Sequence, residues 1–334
     1  MIDFSVNVTP LGIPENIQKA MRDSLDMAGC YPDYSKERLK KALAGEHHLD
    51  ESQICVGNGA TDVIFRLVFA LRPQHALVLA PTFGEYEAAL KCVEADIDYY
   101  RINHDDFQVK ENILEQIHPD TDMVFLCNPN NPTGLLMSKA FVEKVLECCE
   151  NMNARLVVDE CFLEFIKDGD KWSVTDRLRN HKELVIIKSF TKMFGIAGLR
   201  LGYLMCGEEG LADRVDHFGC DWNVNCVAEA AGLEALKSKD YVAKVVDYIS
   251  EEREWLNRKL TSMGFRVIPG QANFLLFQNT RQDREELGNY LEKSGIMIRG
   301  CGDYENLDEH FYRIGINRHS ENDKLLEAIR EWMR

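Results

Sequence analysis

Apolar residues in the middle of the chain come in short, nearly continuous runs rather than in alternation. Residues 76–80 read Ala-Leu-Val-Leu-Ala, 123–127 Met-Val-Phe-Leu-Cys, 156–159 Leu-Val-Val-Asp and 184–187 Leu-Val-Ile-Ile. Runs this short and this apolar predict strands buried on both faces. Helical patterning lies between them, over residues 82–93, preceded by Pro81, and over 138–151, for which Ser138 is a natural cap. Strands alternating with helices predict an α/β chain with a mostly parallel central sheet. Ligands of such sheets bind beyond the carboxyl ends of the strands.

The texture changes after about residue 225. A long helical stretch over 241–263 is followed by apolar segments at 265–268, 273–277, 295–299 and 311–316. Helices are expected near 283–294 and 321–333. This pattern predicts a smaller α+β domain at 226–334 beside a large domain at 41–225. The first forty residues look irregular and are expected to pack on the small domain. A length of 334 residues agrees with two lobes.

Charge narrows the function. With 39 Lys and Arg against 55 Asp and Glu, the net charge is −16. Such a chain is unsuited to wrapping a nucleic-acid backbone or lying on an anionic membrane, although a local basic pocket for a small anion is compatible with it. No apolar run reaches the roughly 18–20 residues that span a bilayer, and the first residues, Met-Ile-Asp-Phe-Ser-Val-Asn, lack the regions of a signal peptide. The 11 cysteines are odd in number, scattered, and form no C-x-x-C pair. They suggest neither a disulfide framework nor a metal site. The expected compartment is the cytoplasm.

Four segments fall at carboxyl ends of expected strands: Gly57-Asn58-Gly59-Ala60-Thr61, Asn128-Pro129-Asn130-Asn131-Pro132-Thr133-Gly134, Asp159-Glu160, and Ser189-Phe190-Thr191-Lys192. The first is a glycine-rich turn that either caps a helix or holds a phosphate on free N–H groups. It is not G-x-G-x-x-G, since Asp62 takes the last position, and no P-loop motif occurs. Asp159 ends a buried strand, where a carboxylate needs a cation or hydrogen-bond donors. It either caps the strand exit or faces a protonated ring nitrogen. Lys192 lies near Ser189, Gly195, Gly198 and Arg200, and a desolvated lysine in such a setting can act as an amine nucleophile.

The stretch Ser-Phe-Thr-Lys-Met-Phe-Gly-Ile-Ala-Gly-Leu-Arg-Leu-Gly-Tyr at 189–203 resembles the cofactor-lysine motif of the class I/II aminotransferases, and the Asn-Pro-Asn-Asn-Pro-Thr-Gly and Asp-Glu motifs precede it in that family's order and spacing. The resemblance covers nearly the whole chain. It implies the pyridoxal-phosphate-dependent transferase fold type I, with pyridoxal 5'-phosphate as cofactor. Carried over, Lys192 would hold the cofactor as a Schiff base and later shuttle a proton, and Asp159 would pair with the pyridine N–H. Asn131 would bond the ring oxygen, and Phe83 would stack on the ring. Gly59, Ala60, Thr61, Ser189 and Arg200 would bind the phosphate. The family also implies a homodimer with shared active sites, in which Tyr31 would reach the neighbouring subunit's cofactor. One position departs from the common Asp-x-x-Tyr pattern, because the fourth residue here is Phe162.

Two branches of the family take phosphorylated substrates, one transaminating histidinol phosphate and the other decarboxylating L-threonine O-3-phosphate to aminopropanol phosphate for cobalamin synthesis. The segments Asp3–Asn7, Gly57–Asp62, Asp159–Phe162 with Phe165, and Ile298–Cys301 resemble the decarboxylase branch more closely. The match is partial: Asp221 replaces a proline of that branch before Trp222-Asn223-Val224-Asn225. Arg313 matches the arginine that clamps a substrate carboxylate. Its planar fork suits a carboxylate or phosphate. Arg299 is a natural second anion site, and Asn7 a further substrate contact. Surface ion pairs for the two arginines, and a local backbone bond for Asn7, are the alternatives. The expected substrate is a small phosphorylated amino acid, decarboxylated or, alternatively, transaminated.

Overall fold

The computed structural model describes residues 1–281 and 286–334. Thirteen strands occur among them: β1 (Ile2–Asp3), β2 (Ile54–Gly57), β3 (His75–Ala80), β4 (Asp96–Arg101), β5 (Met123–Cys127), β6 (Arg155–Asp159), β7 (Leu184–Ser189), β8 (Gly202–Cys206), β9 (Arg266–Ile268), β10 (Phe274–Gln278), β11 (Ile296–Met297), β12 (Arg299–Gly300) and β13 (Phe311–Gly315). The helices of the first half are α1 (Glu15–Asp23), α2 (Glu37–His47), α3 (Ala60–Leu71), α4 (Glu85–Lys91) and α5 (Lys139–Met152). Those of the second half are α6 (Leu211–His217), α7 (Cys226–Ala235), α8 (Lys239–Ser262), α9 (Leu287–Lys293) and α10 (His319–Trp332).

Seven strands build the large sheet in the order β2-β8-β7-β6-β5-β3-β4. The expected runs form its centre, and their uniform apolarity has a simple cause. Alternate residues enter two separate cores, Val124, Leu126, Leu156 and Val158 on one face, and Phe125, Cys127, Val157 and Val185 on the other. Each fully buried aliphatic side chain contributes roughly 1.5–3 kcal/mol. β4 has the polar alternation of an edge strand over its first half, with Asp96 and Asp98 exposed. The sheet is parallel except for β8, which runs antiparallel to both β2 and β7. That reversal matters, because it brings the residues before β8 to the same edge as the carboxyl ends of the others.

A second sheet, β12-β13-β10-β9, is antiparallel, and β1 pairs in parallel with β11. The segment 295–299, expected as one strand, is therefore two. Ile296 and Met297 pair with β1, whereas Arg299 and Gly300 pair with β13, so the chain changes partner at Ile298. The first forty residues are less irregular than expected: α1 packs along α7, and α2 begins at Glu37. The helix expected over 82–93 covers only α4; the chain bends at Pro81 and Thr82, where the Thr82 hydroxyl donates to Asn130 Oδ1 at 2.7 Å. Ser138 caps α5, accepting from the Phe141 N–H. The helix expected at 283–294 is described from Leu287 onward; its expected start at Asp283 lies outside the described residues. Among the described residues no helix is long and apolar enough to cross a membrane.

Candidate active site

The carboxyl edge of the large sheet collects the expected residues. Asp159 ends β6, Lys192 follows β7, Asn131 follows β5, Phe83 follows β3, and Arg200 precedes the reversed β8. A cavity of about 290 Å³ is lined by these side chains together with Arg313 from the small sheet. A chamber of about 430 Å³ shares Phe83, Asn131 and Arg313 with it and adds Arg299 and Tyr304.

Asp159 is only 4% exposed. Its Oδ2 accepts from the Tyr86 hydroxyl at 2.6 Å, and its Oδ1 from the Cys161 N–H at 2.9 Å. Burial and the Asp159 charge push the Tyr86 phenol well above its usual pKa, so Tyr86 remains a donor. The Cys127 thiol is pushed up to about 12, first by burial and then by the same carboxylate. Tyr86 stacks on Phe125 at 4.9 Å and meets Phe83 edge-on at 5.6 Å. One buried ring thus fixes the carboxylate and supports the exposed aromatic face above it.

Three cations line the cavity without a carboxylate partner among the described residues. Lys192 Nζ lies over the Phe162 ring, 4.7 Å from its centre, and the Lys192 carbonyl accepts from the Thr9 N–H at 2.9 Å. Among the described residues Arg200 donates to the Ala197 carbonyl alone, at 3.3 Å. Arg313 is 7% exposed; its Nη1 donates to Asn131 Oδ1 at 2.6 Å and its Nη2 to the Ser5 carbonyl at 2.8 Å, while its Nε is buried without an acceptor. Burial lowers its pKa below the usual range. Because Arg313 occupies Asn131 Oδ1, the Asn131 amide donors are left for the cavity.

The glycine turn forms one wall. Gly59 has φ +94°, and a Cβ there would lie 2.7 Å from Arg200 Nη2, so only glycine lets the guanidinium lie against this backbone. Ala60 and Thr61 open α3, whose first-turn N–H groups have no helical acceptor. Ser189 Oγ and Thr191 Oγ1 lie 2.7 Å apart beside them. Asn7 lines the same cavity with its buried Oδ1 unpaired. Arg299 is in the outer chamber, bound to Asp303 at 2.7 Å. Tyr31 is outside both cavities: it is 81% exposed and packs on Trp222 at 4.7 Å.

The sequence pattern singled out Asn7 but not Tyr86, Thr191 or the neighbouring Ser5, Val6 and Val8. Tyr86 had a signal, since it follows Phe83 by three residues and so shares its face at the start of α4. The donor set suits a ring that carries a phosphate, a carbonyl and a protonatable nitrogen. The N-terminus of α3, the two hydroxyls and Arg200 fit the phosphate, the primary amine fits the carbonyl, and the doubly anchored carboxylate fits the nitrogen. Pyridoxal 5'-phosphate has those three features.

Comparisons with known proteins agree with this donor set. The family model for aminotransferase class I and II matches residues 1–329. The chain is 35% identical over 332 residues to the threonine-phosphate decarboxylase of Salmonella typhimurium, covering 99% of this chain and 90% of that protein. It is 30% identical over 333 residues to the histidinol-phosphate aminotransferase of Methanosarcina mazei, covering 98% and 87%. Its structure resembles that of the histidinol-phosphate aminotransferase from Clostridium acetobutylicum, with a TM-score of 0.92 and 31% identity over 99% of this chain and 98% of that one.

Replacing Tyr86 with Phe removes one of the two donors to Asp159 and leaves the stacking on Phe125. A hydrogen bond to a charged group contributes about 1.5–3 kcal/mol. Spectrophotometric titration of the apoprotein with pyridoxal phosphate is expected to show roughly ten- to hundredfold weaker binding, with the thermal midpoint of the apoprotein little changed. Unaltered affinity would mean that Tyr86 does not position the carboxylate.

Proposed function

Because the chain belongs to the class I and II aminotransferase family, we propose that it decarboxylates a small phosphorylated amino acid, L-threonine O-3-phosphate, giving aminopropanol phosphate and CO₂. The observation that carries this reading is the gathering of Lys192, Arg200 and Arg313, none paired with an acid among the described residues, around one buried carboxylate in an otherwise acidic chain. A cofactor phosphate and a doubly anionic substrate are the charges that such a cavity accommodates.

The enzyme depends on pyridoxal 5'-phosphate. When bound, the cofactor supplies a protonated ring that accepts the electron pair released as a bond to the substrate's α-carbon breaks. The protein's part is to hold, orient and move protons. Lys192 Nζ would anchor the cofactor and supply the proton that replaces the lost carboxylate. Asp159, held by Tyr86 and Cys161, would pair with the ring nitrogen and keep it protonated. Gly59, Ala60, Thr61, Ser189 and Arg200 would hold the phosphate, Phe83 would pack on the ring and Asn131 would donate to its oxygen. Arg313 and Arg299 take the two anionic ends of the substrate, and Asn7 aligns it. Arg299 must exchange Asp303 for its ligand, which its half-exposed position permits.

Which bond to the α-carbon breaks would depend on how Arg313, Arg299 and Asn7 orient the substrate: one placement would release the carboxylate and give decarboxylation, another would release the hydrogen and give transamination. A displacement of about an ångström separates the two outcomes, and rates respond steeply to such placement. The likeness to histidinol-phosphate aminotransferases favours transamination as the second reading.

The working unit is a homodimer. Leu25, Met27, Tyr31, Tyr34, Phe218 and Trp222 are large apolar residues left exposed, and the Tyr31–Trp222 contact joins the two segments that carry them. An exposed apolar patch of this kind marks an interface. Tyr31 would then contribute to the neighbouring site. Sedimentation velocity is expected to give a dimer for the native chain and a monomer for Trp222→Glu; a native monomer would contradict the arrangement.

To separate the two reactions, the holoenzyme is given threonine phosphate with and without 2-oxoglutarate. The expected result is CO₂ released at the same rate in both samples and no glutamate. Glutamate without CO₂ would make the enzyme an aminotransferase, and neither product would exclude this substrate.

A further inference from the structure

A third cavity, of about 500 Å³, lies behind the segment that carries Lys192. Its floor is built by Leu163, next to Phe162, and by Phe190 and Phe194, which flank Lys192 in the chain. Ile166 and, from α8, Val242 and Val246 complete apolar walls. None of the expected cofactor or substrate residues lines it.

The polar groups of this cavity are unevenly matched. Lys188 is committed to Glu160, at 3.0 Å. His47 bonds the Tyr203 hydroxyl at 2.8 Å, and burial, with the nearby Lys188 charge, pulls its pKa down to about 3, so the ring is neutral. At the rim, Glu46 pairs with Lys239 at 3.1 Å and Asp168 with Lys171 at 2.9 Å, while Lys167 is exposed. Glu164 is different: it lines the cavity, and no hydrogen bond or ion pair engages its carboxylate among the described residues. Burial raises its pKa, against the opposing charges of Lys188 and Lys192, neither of which forms an ion pair with it among the described residues. Asp170 and Asp247 add further negative charge at the mouth.

Apolar walls around a carboxylate with no direct ion pair or hydrogen bond among the described residues select for a cation with a hydrocarbon body. We propose that this cavity binds a small protonated amine, its ammonium N–H donating to Glu164 and its apolar body lying against Leu163, Ile166, Phe190, Phe194 and Val246. A charge-assisted bond inside an apolar enclosure is the strong kind. The site holds whichever reaction the front cavity performs. Because floor and cofactor lysine share one segment, its occupant sits where it can bias the placement of Lys192.

The probe is N,N-dimethylphenethylamine, a tertiary amine that cannot form an imine with the cofactor's carbonyl. Calorimetric titration into the holoenzyme is expected to show one saturable site per chain, with much weaker binding of the neutral analogue 2-phenylethanol. Glu164→Gln should weaken the amine roughly ten- to hundredfold, and Ala243→Trp, which places an indole at the mouth on α8, should abolish binding. Both variants should keep the cofactor absorbance of the native protein, which controls for folding. Absence of a saturable site, equal affinity in both variants, or displacement of the amine by inorganic phosphate from the front cavity would each overturn the assignment.

Discussion

A carboxylate at the end of a buried central strand must be compensated, and in this protein the rest of the site is arranged around that requirement. Removing an ionised carboxyl from water costs several kcal/mol unless donors or a cation meet it. Asp159 receives one hydrogen bond from a buried phenol and one from the backbone just beyond it. No ion pair with it occurs among the described residues, so it stands open to pair with a cation that enters the cavity. The register Cys127–Asp159–Ile187 sets β5 and β7 on either side, which brings Asn131 and Lys192 to flank the same point.

The two adjacent acids show how the pleat sorts charge. Asp159 turns to the cavity. Glu160 turns away and is fully buried against Lys188, with Ser173 and the Val174 N–H completing its hydrogen bonds. Lys188 and Ser189 alternate in the same way, the lysine toward Glu160 and the serine toward the cavity. The front cavity thereby keeps an excess of cations although the chain as a whole carries −16. The back cavity receives the surplus acid instead.

Much of this was legible in the sequence because it is local. Unbroken apolar runs identify strands covered on both faces, and the chemistry-bearing residues stand directly at their carboxyl ends. Other features depend on contacts between distant segments. Tyr86 meets Asp159 across 73 residues, and Arg313 meets the Ser5 carbonyl across 308; neither leaves a periodic trace. The reversal of β8 depends on its partners, not on its own composition. The split of the 295–299 segment follows from two different neighbours, and the late start of α4 goes with one side-chain bond, from Thr82 to Asn130. Tyr31 lies outside the cavity of its own chain, so its place in any site depends on a second copy.

Lys192, the lysine proposed to hold the cofactor, is the point at which all of these features meet. Reduction of the holoenzyme with borohydride, followed by peptide mass mapping, fixes the cofactor to whichever amine holds it. The predicted result is a single pyridoxyl group on Lys192, absent from Lys192→Ala protein. A label on another lysine, or no fixed label, would contradict the assignment of this cavity.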